Sequence, residues 1–277
     1  MSARRPGSRA VTGGAAMLLL LALAGAAAPL ISGRNPLAIE LGARLRPPRA
    51  DHPFGQDTLG RDVLARVLYG ARVSLLVATA AVALTLAIGV LLGAIAGYAG
   101  GWIDELFTRV VDVLLAFPGL LLAIALAAVL GPSLRNVVLA LSVLGWTAYA
   151  RLTRAEVATL RRREFVQAAE ALGARPSHVV ARHLLPLAAP ALLVQATFGM
   201  GAAIVAEASL SFLGLGAPPP LPSWGAMIDE GRPFLLVAPH LTVFPGLALA
   251  FTVLALQLLG DGLRDLLDVR EGERRRP

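Results

Sequence analysis

The chain has 277 residues, of which 56% are hydrophobic and 16% charged, with a mean hydropathy of +0.70 and a formal net charge of +7. A single soluble core of this length does not bury so much apolar surface, so the composition is that of a membrane protein. There is no cysteine, which excludes disulfides, thiolate metal sites and a cysteine nucleophile, and no lysine, which excludes a G-x-x-x-x-G-K-[ST] phosphate loop.

Without that loop the chain does not hydrolyse ATP by this route, and any energy-driven work draws on another subunit. The arginines flank apolar runs instead of forming one basic stripe, so they serve topology better than nucleic-acid binding. A helix crossing a bilayer needs roughly 20 residues without exposed charge. Windows free of Asp, Glu and Arg occur at 10–33, 73–103, 113–134, 136–150, 184–206 and 233–260, which predicts an all-helical protein with six spans. The fourth window is short and is completed either across Arg135 or by the turn carrying Arg151. The first window has the rival reading of a secretory signal peptide, but its apolar run exceeds a signal core of about 7–15 residues, so a retained span is favoured.

Arg151, Arg154, Arg161, Arg162, Arg163, Arg175 and Arg182 crowd one loop, and the tail reads RDLLDVREGERRRP. The positive-inside rule puts both in the cytoplasm, together with an amino terminus carrying Arg4, Arg5 and Arg9, and six crossings satisfy all three. The stretch between Arg34 and Arg72 conflicts, because it is rich in arginine and falls outside. Its acids Glu40, Asp51, Asp57 and Asp62 offset this only weakly. The organisation expected is therefore an amino terminus, first span and start of an external loop at 1–50, an external interfacial segment at 51–72, a span core at 73–263 and a cytoplasmic tail at 264–277.

One stretch, REFVQAAEALGARPSHVVARHLLP, interrupts the apolar pattern between Arg163 and Pro186. Val157, Leu160, Phe165, Ala168, Ala169 and Leu172 recur at helical spacing and predict one helix over 155–172 with a buried stripe. Gly173 is suited to a left-handed cap, and a second short helix can start at Pro176, with Val179, Val180, His183 and Leu184 as its apolar face. Pro186 and Pro190 are expected to close it and begin the fifth span. The segment 155–185 is either a hairpin that caps its own bundle or a docking element for a cytoplasmic partner.

QAAEALG followed by LLP resembles the E-A-A-x-x-x-G motif and downstream L-P of permease subunits of binding-protein-dependent ABC importers. HPFGQDTLGRDVLARVLYGARVSL, AEASLSFLGLGAPPPLPSWGAMIDEGR and LLGDGLRDLLD resemble the dipeptide, oligopeptide and nickel branch of that family, specifically its C-type permease. Together these patches run from His52 to Asp268. Gln167 departs from the motif, whose first position is glutamate, while Ala168, Ala169 and Gly173 match it.

The resemblance implies a type I ABC importer fold in an inner membrane, with the short helix from Pro176 to Leu184 seated in a groove of an ATPase subunit. It assigns ATPase coupling to Gln167, Ala168, Ala169, Gly173, Pro176, Ser177, Val179, Val180, His183, Leu184 and Pro186. Ala168 and Ala169 are small for close helix packing, and Gly173 serves the turn. The implied partners are a second related permease, two ATPase subunits, an external solute-binding protein and membrane lipid. ATP is bound by the ATPases, and this chain carries no cofactor, metal or catalytic residue of its own. Peptides are the expected solute, with nickel or glutathione as alternatives.

Other motifs carry less. His52, Asp57 and Asp62 share one loop, but their spacing matches no metal pattern, and local polar contacts with Arg61 are the better expectation. Residues 59–69 read as a helix lying at the outer interface, with its arginines at the surface. Glu207 is the only acid between His183 and Asp229, and lines the pathway, meets the partner permease or sits in the outer headgroup layer. The proline-rich GAPPPLPSWG is expected as an external loop with Trp224 as an interfacial anchor, and Asp104, Glu105, Arg109 and Asp112 as a solvated inner turn. No H-E-x-x-H or G-x-S-x-G is present, so an enzyme is not expected. The rivals are a gradient-driven transporter, which calls for buried mid-span charges and inverted repeats, and a membrane scaffold.

Overall fold

The computed structural model describes residues 6–274, and side chains for 7–267. Arg4, Arg5 and Arg275 to Pro277 lie outside the described residues. Every regular element among those described is helical: α1 (Pro6–Ala26), α2 (Ala28–Ser32), α3 (Val63–Ala99), α4 (Gly101–Leu115), α5 (Gly119–Leu130), α6 (Leu134–Arg161), α7 (Glu164–Ala171), α8 (Pro176–Val179), α9 (Leu185–Phe212), α10 (Trp224–Gly231) and α11 (His240–Arg274).

Among the described residues, four stretches are long and apolar enough to cross a membrane: Gly7–Ala26, Val63–Ala99, Pro176–Phe212 and His240–Leu267. The count reaches five if α4 and α5, bent by 77° at the break between them, form one broken span. At 12 residues α5 alone covers about 18 Å, short of a hydrocarbon core of about 30 Å. The fourth window lies in α6, whose second half carries Arg151, Arg154, Glu156 and Arg161 and lowers its apolar character.

In a bilayer, helices associate by close packing because lipid is as apolar as their side chains. The α3–α6 pair does this through Gly89, Gly93 and Gly97, one turn apart on α3. A Cβ at Gly97 would stand 2.5 Å from the Arg154 carbonyl, and one at Gly89 2.6 Å from the Tyr149 Cβ. The α1–α11 pair is as close: a Cβ at Gly14 would lie 2.7 Å from the Ala255 carbonyl.

Several expectations are corrected. No separate interfacial helix occupies 59–69; Asp62 caps a continuous α3, its side chain accepting from the Ala65 amide at 2.7 Å. The expected inner turn from Asp104 to Asp112 is part of α4, because its charges sit between apolar residues at helical spacing. One face of α4 is tied to α6 by Asp104 and Arg154, with Arg154 Nη2 donating to Oδ2 at 2.6 Å. Trp224 is fully buried instead of anchoring at an interface: Gly70 leaves room for its ring, and Nε1 donates to the Val67 carbonyl at 3.0 Å.

Candidate functional site

The expected helix over 155–172 is two helices, since α6 stops at Arg161 and Arg163 is extended before α7. That break turns the face of α7. Val166 points inward in place of Phe165, Ala168 and Leu172, and joins Ala94, Val157, Val179 and Leu184 in one buried cluster. Val180 and His183 are half-buried beside it, and His183 meets His178 edge-on at 5.8 Å.

The opposite surface is open. Leu172 is 90% exposed and Phe165 46%, and Gln167, Ala168, Ser177 and Pro176 are exposed with them, while Ala169 is half-buried. Ala168 therefore has no close helix packing within its own chain. Gln167 bends back, Nε2 donating to the Arg162 carbonyl at 3.3 Å. Gly173 has φ +85°, a conformation that L side chains rarely adopt, and a Cβ there would meet nothing within 4 Å. The backbone alone calls for glycine.

Pro186 and Pro190 do not separate the short helix from the fifth span. Pro186 has no amide to donate to Arg182, and the chain accommodates it by widening into a π turn, Val180–Leu184, in which the Leu185 amide bonds the Val180 carbonyl. Helix continues through both prolines, so Pro176–Phe212 is one rod.

A second tie escaped sequence reasoning. Tyr98, at the end of α3, donates its hydroxyl to Glu170 of α7 at 2.7 Å, and Arg161 lies over the Tyr98 ring at 4.7 Å while donating to the Tyr98 carbonyl. The segment is thus fixed to α3 and α6 as well as continuous with α9.

At the far end of the rod, Glu207 is fully buried within its own chain, which leaves its side chain no surface for a partner permease. It accepts from Ser74 at 3.0 Å and Ser211 at 2.7 Å, and lies about 35 Å from Leu184 along the helix axis. It shares no site with the residues of the segment 155–185.

The loop of His52, Asp57 and Asp62 forms local polar contacts. His52 Nδ1 meets Asp62 at 2.7 Å and its Nε2 meets Arg34 at 2.9 Å. Asp57 is bonded by Arg61 at 2.6 Å and by Arg66, and Glu230 accepts from Arg61 at 2.8 Å and Arg66 at 2.7 Å. Arg61 and Arg66 are 7% and 2% exposed, so the surface arginines expected here are interior. Arg72 bonds the carbonyls of Gly25 and Ala26 at the end of α1.

Residues 89–272 match the family described as "Binding-protein-dependent transport system inner membrane component". The chain is 45% identical over 241 residues, 87% of its length and 79% of the relative's, to the dipeptide transport system permease protein DppC of Alkalihalophilus pseudofirmus. It is 51% identical over 221 residues to the glutathione transport system permease protein GsiD of Shigella dysenteriae serotype 1, covering 80% of this chain and 73% of that one. Against the GsiD of Pectobacterium atrosepticum it is 42% identical over 259 residues, 94% and 86% of the two chains. With motifs, apolar helices and relatives in agreement, the chain belongs to the binding-protein-dependent ABC importer permeases, in the branch that includes the peptide and nickel systems.

Proposed function

We propose that this chain is the non-catalytic permease subunit of an ATP-driven importer for short peptides, including glutathione-like peptides, and that it forms the pathway together with a second, related permease. Two ATPase subunits bind its cytoplasmic face and a solute-binding protein its outer face. The spans are α1, α3, the broken α4–α5 pair, α6, α9 and α11, with both termini in the cytoplasm. Close packing of α1 on α11 supports a retained first span, and the internal pairing of Arg61, Arg66 and Arg72 supports an outer position for the loop they belong to.

Nucleotide binding closes the ATPase pair, the coupling segments move with it, and the spans reorient from outward- to inward-open. The observation that carries this reading is the segment's two-sidedness. Its inner side is locked by Val166, Val179 and Leu184, its outer side offers Phe165 and Leu172 to a partner, and helix runs unbroken from it into α9. The names of the relatives, dipeptide and glutathione permeases, support the solute class.

The test is ATP-dependent uptake of radiolabelled alanyl-alanine and glutathione by the complex reconstituted in liposomes. Gly173→Trp is expected to insert at wild-type abundance and lose uptake, since it strains the left-handed turn and places a ring, open to space in this chain, against the ATPase in the complex. Normal uptake by that variant would falsify the coupling role.

A further inference from the structure

A cavity of about 270 Å³ lies between the middles of α3, α6 and α9, bordered by Thr85, Gly145, Tyr149, Gln195 and Gly199. Its mouth is formed by Ala148 and Ala202, both exposed. Gln195, Gly199, Ala202 and Ala206 follow at spacings of four, three and four, so they share one face of α9.

Three polar groups set this face apart from the leucine-rich outer surfaces of the spans. Tyr149 is 3% exposed, and among the described residues its hydroxyl, with the Thr85 hydroxyl as its polar neighbour, closes no full hydrogen bond. It lies against Gly199, where a Cβ would collide with it, so the absence of a side chain there is what admits the hydroxyl. Thr85 spends its hydroxyl hydrogen on its own helix, at the Ala81 carbonyl 2.8 Å away, which leaves its oxygen able to accept from a neighbouring donor. The Gln195 amide adds a donor and an acceptor. A phenol, an amide and an alcohol at mid-span are unfavourable against hydrocarbon, so this face is unsuited to lipid.

We infer that this cavity is a polar station on the translocation pathway, where Tyr149 donates to a carbonyl oxygen of the passing peptide and Gln195 pairs with its amides. The inference rests on the importer reading above and names part of the solute contact. Its volume is just under the range of about 300–1,000 Å³ that encloses a whole small ligand. It holds one residue of a peptide, and the facing permease completes the enclosure. Alanine and glycine walls leave room for varied side chains, while the polar groups address the backbone that all peptides share.

The absence of cysteine in the natural chain provides a direct test. In the assembled importer in proteoliposomes, Ala202→Cys is expected to react with a charged, membrane-impermeant thiol reagent at least tenfold faster than Leu193→Cys, which is 60% exposed on the opposite face of α9. That reaction is expected to block alanyl-alanine uptake. Tyr149→Phe, which removes only the hydroxyl, is expected to lower the maximal uptake rate by roughly 2- to 10-fold, the worth of one hydrogen bond, at unchanged abundance and unchanged affinity of the binding protein.

If Ala202→Cys is as unreactive as Leu193→Cys, the face is packed against lipid or the second permease, and the inference is overturned. Equal uptake by Tyr149→Phe and wild type overturns the contact with solute. A wild-type complex that takes up neither alanyl-alanine nor glutathione overturns the peptide-importer reading itself, with the inference that rests on it.

Discussion

Arg66 is held by two carboxylates that come from opposite ends of the chain, and it is these contacts that make a guanidinium tolerable at 2% exposure. Removing the cation leaves Asp57 with one fewer partner in a dry site, although Glu230, 34% exposed, can turn to water; removing an exposed ion pair leaves water in place of both partners. Arg66→Ala is therefore expected to destabilise the detergent-purified protein by about 3–5 kcal/mol in thermal or denaturant unfolding. Arg49→Ala, whose pair with Asp51 is 39% and 57% exposed, is expected to cost about 0–1 kcal/mol in the same assay. A comparable loss in both variants would contradict the buried network. Glu230 stands 164 positions from Arg66 in sequence, which is why local patterns showed arginines in an external loop but not where their charge goes. Trp224 was misread for the same reason: tryptophan beside prolines looks interfacial until Gly70, far upstream, makes room for it.

Among the elements, the segment 155–185 has two fixings, its helical continuity with α9 and the Tyr98–Glu170 hydrogen bond to α3. In the proposed function these make it a lever that moves both spans. Tyr98→Phe keeps the ring beneath Arg161 and deletes only the tie, so ATPase binding is expected to persist while solute moved per ATP falls by roughly 2- to 10-fold. Simultaneous measurement of phosphate release and uptake checks this, and unchanged stoichiometry would count against the tie. Gly173 acts through backbone conformation, since φ +85° penalises L side chains by about 1–2 kcal/mol while asparagine tolerates left-handed geometry better. Uptake is accordingly expected to rank glycine above asparagine above valine at this position, and a valine variant as active as asparagine would contradict the turn's role.

For the whole molecule, charge-free windows located the apolar cores of the four spanning stretches and of the bent α4–α5 pair, because burying a charge in hydrocarbon is costly, but the fourth window, in α6, has no helix apolar enough to count. They said less about where helices end. Asp62 caps α3 well before its apolar stretch begins, and α4 carries charge on one face while remaining helical, so the window rule read its polar half as a turn. Gly173 was legible because a turn needs left-handed backbone, but the orientation of α7 was not. The break at Arg162 and Arg163 resets the helical phase, and a single periodic stripe drawn across it chose Phe165 over Val166 as the buried residue. Long-range packing shows a similar division. Glycines at four-residue spacing in α3 were visible as sequence, while their fit against α6 required the fold. Gly93→Leu pushes a side chain into the α6 backbone and is expected to reduce membrane abundance several-fold, as measured by immunoblotting of isolated membranes.

In the proposed importer, the open face of the segment 155–185 binds a motor subunit. Leu172 tests it cleanly, because at 90% exposure its side chain contributes little to its own chain's packing. The measurement is mild solubilisation of wild type and Leu172→Asp from native membranes, affinity isolation, and quantitative mass spectrometry of what accompanies each. Wild type is predicted to bring a second permease and an ATPase bearing a phosphate-binding loop, and Leu172→Asp to keep the permease while losing most of the ATPase. Equal recovery of the ATPase by both proteins, or its absence from both under every mild condition, would contradict the claim.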